Sequence, residues 1–427
     1  MKTNFKNKNL SMYHWIKELF PICRSITGKG IRYSLSYFEK INPEFKRIKF
    51  KTGQKVFDWV IPKEWNIKDS YIKHEKGKKF ANFKKTNLSI VGYSKPIKAS
   101  FAKKELLKKI YSLKKQPNAI PYVTSYYNED WGFCMSEKEK KKLPNGKYKV
   151  FIDSELKKGT LDLSHALIKG KSKKEIFFSS YLCHPSMANN ELSGPAVLNK
   201  LLHYVKTNFD KLKFTYRFVL LPETIGSIAY LSKYKNYLKK NVICGYNLTC
   251  LGDGRMFSYI ESRNRNTLAD NAISASLRGK KKVKKYSFIN RASDERQYCS
   301  PGIDLPLCSF SRSLNYPEYH TNQDSLKIVS QKNLEASLKV LKDIVNAFEI
   351  GLYPKTSITC EPNMGKRNLY PLISKKNTYD ESLKLRMNLI AYSDGKRNIF
   401  EISNLLQKSL SEVNEEYKKL KEKKILK

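Results

Sequence analysis

Residues 175–209 read EIFFSSYLCHPSMANNELSGPAVLNKLLHYVKTNF. The opening EIFFSSYL is almost wholly apolar, which suits a strand buried on both faces of a sheet. A short polar loop follows, and PAVLNKLLHYVKTNF then continues at helical spacing. The same texture recurs downstream: TYRFVLL before a helix from Ile225 to Lys239, VICGYNLTCL, and LPLCSFS before a long helix from about Ser325 to Phe348. KYKVFID, just after Lys147, reads as one more strand of the series. Strands alternating with helices of this length predict an α/β fold, a mostly parallel sheet with helices on both faces.

The flanks read differently. Residues 10–40 open with an amphipathic helical pattern, MYHWIKELF, then turn-rich PICRSITGKG and a second helical stretch. Between about Phe45 and Lys147, short β-type runs (KVFDWVI, LSIVGYS, PYVTSYY, WGFCM) alternate with turns such as KTGQ, PKEWN and PNGK, which predicts a small inserted β-rich domain. Past Tyr353, EPNMGKRN reads as a linker, and two or three helices follow from about Tyr370. The expected division is residues 1–44 and 148–352 for the α/β domain, 45–147 for the insert, and 366–427 for a C-terminal winged-helix-like domain.

Composition narrows the class. Of 427 residues, 40% are hydrophobic and 12% aromatic, enough to bury a core, so wholesale disorder is excluded. No window approaches eighteen consecutive apolar residues, so no membrane span is expected. The N-terminal stretch lacks the apolar centre of a signal peptide, which predicts a cytoplasmic protein. The eight cysteines show no C-x-x-C and lie mostly in apolar runs, where a reduced cysteine acts as a small hydrophobe. The net charge of +43 comes mainly from lysine spread along the chain, which predicts a solvated coat rather than a phosphate-reading surface and makes nucleic acid an unfavoured partner.

In an open parallel sheet, ligands bind beyond the carboxyl ends of the strands. There the sequence places Cys183-His184-Pro185, Asn189-Asn190-Glu191-Leu192-Ser193-Gly194, Pro222-Glu223-Thr224, Asp253, and Pro317-Glu318-Tyr319-His320-Thr321. Two of six histidines and several acids thus fall on one edge, the donor mix of a zinc-type site. Each residue also has a plainer reading. A histidine after a strand can be a loop hydrogen-bonder, Glu223 can cap the helix near Ile225, and Asp294 can be an N-cap. His14, His74, His165 and His203 have nothing around them that raises them above that reading.

Taken together, Cys23–Gly28 (CRSITG), Trp59–Trp65, Cys183–Gly194, Pro222–Ser227, Ser293-Asp294 and Tyr319-His320-Thr321 with Asp324 resemble the zinc exopeptidase superfamily of leucyl aminopeptidases, glutamate carboxypeptidases and glutaminyl cyclases. The closer resemblance is to its bacterial aminopeptidase-like branch, with an inserted β-rich module and a C-terminal winged helix. The resemblance implies metal-ligand roles for His184, Glu223 and His320, places the metal-bridging position on Asn190, and puts Asp294 beside the metal as a catalytic-site residue with Glu223. Three departures stand out. Asn190 replaces an anionic bridge, with Glu191 one residue later. A single glutamate, Glu223, stands where two adjacent ones, base and ligand, are usual. Thr249 occupies the position of a second-metal aspartate, with Asp253 as a nearby substitute. These favour one zinc ion over two.

The leading expectation is a metal-dependent, aminopeptidase-like hydrolase of a small amide or short peptide. The rivals are a ligand-binding or metal-binding scaffold of the same fold with impaired catalysis, and binding of nucleic acid or protein through the C-terminal helices. Glu412, Glu415 and Glu416 on the would-be recognition helix suit protein contact or self-association better than DNA.

Overall fold

The computed structural model describes residues 11–370 and 380–427. The expectations that fall on residues 1–10 and 371–379 lie outside the described residues. Eight strands form the large sheet: β1 (Lys46–Lys51), β2 (Thr160–Ile168), β3 (Glu175–Tyr181), β4 (Thr215–Leu221), β5 (Val242–Leu248), β6 (Phe257–Ile260), β7 (Val283–Tyr286) and β8 (Leu307–Ser311). Their spatial order is β1-β2-β4-β3-β5-β8-β6-β7. The central β4, β3, β5 and β8 are parallel, and antiparallel pairings begin at β2 on one side and β6 on the other.

Every residue of β3 and β4 is buried, because helices cover both faces. Ser193–Thr207 packs with Met12–Leu19 and Gln331–Gly351 as one group, while Ile225–Asn241 packs with the short helix Glu295–Tyr298. The long helix expected from Ser325 starts at Gln331, where the Ser330 hydroxyl accepts from the Asn333 amide at 3.3 Å and caps it.

A buried ion pair ties β3 to β4. Arg217 donates from Nε and Nη2 to the two carboxylate oxygens of Glu175, at 2.7 and 2.9 Å. The two residues lie on one face of adjacent strands, so their fork holds the register in which Tyr181 pairs with Leu221. The strands therefore end level, and the residues just past them, His184 and Glu223, emerge at one edge.

A separate antiparallel sheet, in the order Lys79–Phe80, Glu64–His74, Lys147–Lys157, Ile97–Ala102, lies within the β-rich part of the chain. Two sequence readings are corrected here. PKEWN is not a turn, since Glu64 opens an eleven-residue strand. KYKVFID is not part of the parallel series: its alternating burial is that of a strand covered on one face, and it sits in the middle of the small sheet. Conversely, Lys46–Lys51 pairs into the large sheet, against β2.

Helices Glu381–Tyr392, Ile399–Leu405 and Leu410–Glu422 form the C-terminal unit. Asn398 with Glu401, and Ser409 with Glu412, make capping boxes. Leu410–Glu422 lies against Gln331–Gly351, with the Asn414 amide donating to the Asp343 carbonyl at 2.9 Å. Among the described residues, no helix is long and apolar enough to cross a membrane.

Replacing Arg217 by Met would leave Glu175 a buried carboxylate without its cation. The expected cost is about 3–5 kcal/mol of unfolding free energy, read from urea denaturation.

Candidate functional site

The residues at the carboxyl edge converge. Beyond β3, Leu182 continues the ladder by donating to the Leu221 carbonyl at 2.8 Å, and His184 follows, buried. Its Nε2 lies 3.6 Å from Oε2 of Glu223, which follows β4. The ring of His320 is 5.2 Å from that of His184, centroid to centroid, and its Nε2 is buried with no hydrogen-bond partner. Two ligands of one zinc ion stand about 3.3 Å apart, given bond lengths near 2.0–2.1 Å and tetrahedral angles. The His184–Glu223 spacing fits that geometry, and the buried, unpartnered His320 nitrogen offers a lone pair that a cation could satisfy. His184 and Glu223 could therefore share a zinc ion, with His320 as the candidate third donor; among the described residues, the group of three such donors whose atoms lie within 4.8 Å of one another is Cys183, His184 and Glu191.

Protonation agrees with this reading. Burial, and then the neighbouring His184, press the His320 imidazole down to about 3, so it is neutral and free to donate a lone pair. Burial also opposes a charged His184, but the facing Cys183 and Glu191 outweigh it and raise that imidazole well above its ordinary value. A cation at Nε2 would enter in exchange for a proton.

The other expected residues are placed as follows. The π-type turn Ala188–Leu192 is pinned by Asp324, whose carboxylate accepts from the amides of Ala188, Asn189 and Asn190 at 3.0, 2.6 and 2.9 Å. Asn190 is buried, its Nδ2 donating to the Tyr181 hydroxyl at 2.6 Å while Oδ1 has no partner. Thr249 shares a 2.5 Å hydrogen bond with the same Tyr181 hydroxyl. Asp253 is engaged elsewhere, accepting from Ser313, Asn189 and the Arg255 amide. Glu191 does reach the histidine, but at the ring's outer nitrogen: Nδ1 donates to its Oε2 at 2.7 Å.

Glu223 is not a helix cap. Thr224, at φ 64°, leads into Ile225–Asn241 without a side-chain cap, and Glu223 instead accepts from the Ser293 hydroxyl at 2.7 Å on Oε1. Nor does Asp294 cap the helix it precedes. Its Oδ1 accepts from the Thr224 amide and the Ser227 hydroxyl, each at 2.7 Å, and Oδ2 is buried without a partner. Asp294 thus lies behind Glu223 and braces the Thr224 turn, one reason a non-glycine residue holds a left-handed φ there.

Residues 13–351 match the family described as a domain of unknown function, DUF4910. The chain belongs to that family. Residues 352–427 match a winged helix-turn-helix family. A protein of Clostridium acetobutylicum with the provisional name polysaccharide biosynthesis protein with aminopeptidase-like domain is 37% identical over 403 residues, covering 92% of this chain and 90% of that protein. A crystal structure of a provisionally named peptidase from Clostridium acetobutylicum superposes with a TM-score of 0.88 at 34% identity, covering 97% of this chain and 95% of that one. BSAP, a zinc aminopeptidase from Bacillus subtilis, shares the fold, with a TM-score of 0.57 at 15% identity over 81% of this chain and 95% of its own.

The DUF4910 chain also brings to the site an aromatic group that the sequence did not single out, Tyr122, beside Tyr319 of the expected motif. Tyr122, from the β-rich segment, sets its ring edge-on to both histidines, at 5.0 Å from His184 and 5.5 Å from His320. Its amide donates to the His320 carbonyl at 2.8 Å, so this segment holds the His320 loop. Tyr319 stacks on His320 at 4.0 Å. Beside them lies a cavity of about 190 Å³ lined by Tyr181, Thr249, Ser293, Ser309, Asn315 and Tyr319 among others. The only sequence signal was the aromatic run PYVTSYY, read there as a strand.

Burial, and then the Glu223 charge, push the Asp294 carboxyl from its ordinary 3.8 up to about 7. Between those values the folded metal-free chain keeps a proton that the unfolded chain has lost, so stability falls as pH rises through that window. Asp294→Asn should flatten this dependence. Melting temperatures of metal-free protein from pH 4 to 8 would check it, the variant gaining relative to wild type toward the upper end.

Proposed function

We propose that this DUF4910 chain is a metal-dependent hydrolase of the aminopeptidase type, belonging to the bacterial aminopeptidase-like branch and acting on a small amide or short peptide. In this reading one zinc ion is held by His184 Nε2, Glu223 Oε2 and His320 Nε2. The observation that carries it is the convergence of His184 and Glu223 at 3.6 Å, beside a buried His320 nitrogen with no partner. When bound, the ion would supply Lewis-acid polarisation of the scissile carbonyl and activation of water.

The chain's own groups have separate duties. The Ser293 hydroxyl occupies Glu223 Oε1 and leaves Oε2 facing His184. Asp294 steadies the turn behind it. Tyr122 sets its ring edge-on to both histidines and Tyr319 stacks on His320, and these contacts orient the imidazoles. The hydroxyl-lined cavity beside Tyr181 suits a small polar substituent of the substrate. Neutral Asn190 and Thr249 stand where a second cation would need carboxylates, which supports one ion rather than two.

The winged helix is read as a protein-facing or self-associating element. Its helix Leu410–Glu422 buries Val413, Asn414 and Tyr417, and Glu412 and Glu415 are exposed, a poor match to phosphate. All eight cysteines are free, which suits a reducing cytoplasmic setting.

Elemental analysis of protein made in zinc-replete medium should find about one zinc per chain. His320→Ala should lose most of it, and hydrolysis of an aminoacyl amide should vanish with a chelator and return with zinc. Stoichiometric zinc without hydrolysis would establish the non-catalytic scaffold instead, and absence of zinc would sink both.

A further inference from the structure

The outer side of the His184 ring is occupied by a buried ion pair that the donor set above does not use. Glu191 is fully buried, with Oε2 at 2.7 Å from His184 Nδ1 and Oε1 at 3.7 Å from Arg24 Nε. Arg24, 1% exposed, comes from the CRSITG segment far upstream. Its Nε donates to the main-chain carbonyl of His184 at 2.9 Å, and Nη1 donates to the Leu19 carbonyl at 2.7 Å. Ring and main chain of one residue are thus held from two sides by a carboxylate and a guanidinium that face each other.

We propose that Glu191 is a positioning residue, with Arg24 as its anchor: it accepts the Nδ1 proton of His184, fixes the ring's orientation and tautomer, and so presents Nε2 to the cation. This rests on the zinc reading above. A histidine that ligates a metal commonly donates its other ring N–H to a carboxylate, which orients the ring and strengthens it as a ligand. A buried carboxylate in turn needs a counter-charge, and Arg24 provides one without approaching Nε2. The acid at position 191 thus serves the metal centre from outside and does not replace the missing bridge at Asn190.

The alternative puts the ion on the other side. Cys183 Sγ, His184 Nδ1 and a Glu191 oxygen lie within 4.8 Å of one another and could form a donor set. Two features disfavour it. The 2.7 Å contact is a hydrogen bond, too short to admit an ion between its two atoms, and the Arg24 guanidinium adjoins the same carboxylate and would repel a cation there.

The test uses the full chain with ¹⁵N-labelled histidine, in wild type, Glu191→Gln and Glu191→Asp. Wild type should show a downfield, hydrogen-bonded Nδ1–H proton on His184, assigned by its absence from His184→Ala. In Glu191→Gln that signal should move upfield and zinc affinity, measured by chelator competition, should fall roughly 10–100-fold. Glu191→Asp should recover part of both, and the melting temperature of each metal-free variant checks that it folds. Zinc affinity in Glu191→Gln within about twofold of wild type would overturn the proposal, as would a thiolate-to-metal absorption band in cobalt-loaded wild type, which would place the ion on Cys183. If wild type binds no zinc, the hydrolase reading fails separately. The Nδ1–H signal then decides the role of Glu191 alone, its presence supporting the clamp and its absence overturning it.

Discussion

One parallel pairing carries the site. The register of β3 against β4, held by the buried Arg217–Glu175 fork, decides that a histidine and a glutamate 39 positions apart in sequence leave the sheet at the same height. A one-residue slip would turn the buried side chains to the opposite faces and separate the two donors. Everything nearer the chemistry adjusts positions by ångströms, whereas this pairing sets them by strands.

Around that edge the protein arranges its charges in layers. His184 faces both Glu223 and His320; Glu191 with Arg24 sits behind the first histidine, Asp294 behind the glutamate, and Asp324 under the turn that carries Asn190. Each buried acid is met by main-chain amides, hydroxyls or a cation, as burial of charge requires. Four atoms at this edge, His320 Nε2, Asn190 Oδ1, Glu191 Oε1 and Asp294 Oδ2, are buried without a hydrogen-bond partner. Ser186, Thr224, Cys250 and His320 at this edge hold positive φ.

The sheet's centre was legible because strands buried on both faces leave continuous apolar runs, as in EIFFSSYL, and because chemistry in such sheets gathers at one edge. The last two strands of the sheet, β6 and the edge strand β7, were not, since Phe257–Ile260 and Val283–Tyr286 are only four residues long and β7 is lysine-rich and largely exposed. KYKVFID was placed in the wrong sheet because a short apolar alternation does not state which partner it will meet. His184, Glu223 and His320 were singled out by position and motif, and the fold brings His184 within 3.6 Å of Glu223 and its ring within 5.2 Å of that of His320. Tyr122 and Arg24 were not assigned a site role, because their part depends on contacts from segments distant in the chain. The partner of Glu191 was likewise invisible: an arm long enough to reach the histidine does not reveal which ring nitrogen it will meet.

The account turns on where a cation sits relative to the His184 ring. An anomalous difference map at the zinc edge, from crystals of the full chain grown with zinc, tests this directly. The account predicts a single peak within bonding distance of His184 Nε2, Glu223 and His320 Nε2. A peak on the Cys183–Glu191 side of the ring, or a second peak of equal height beside Asn190, would contradict it.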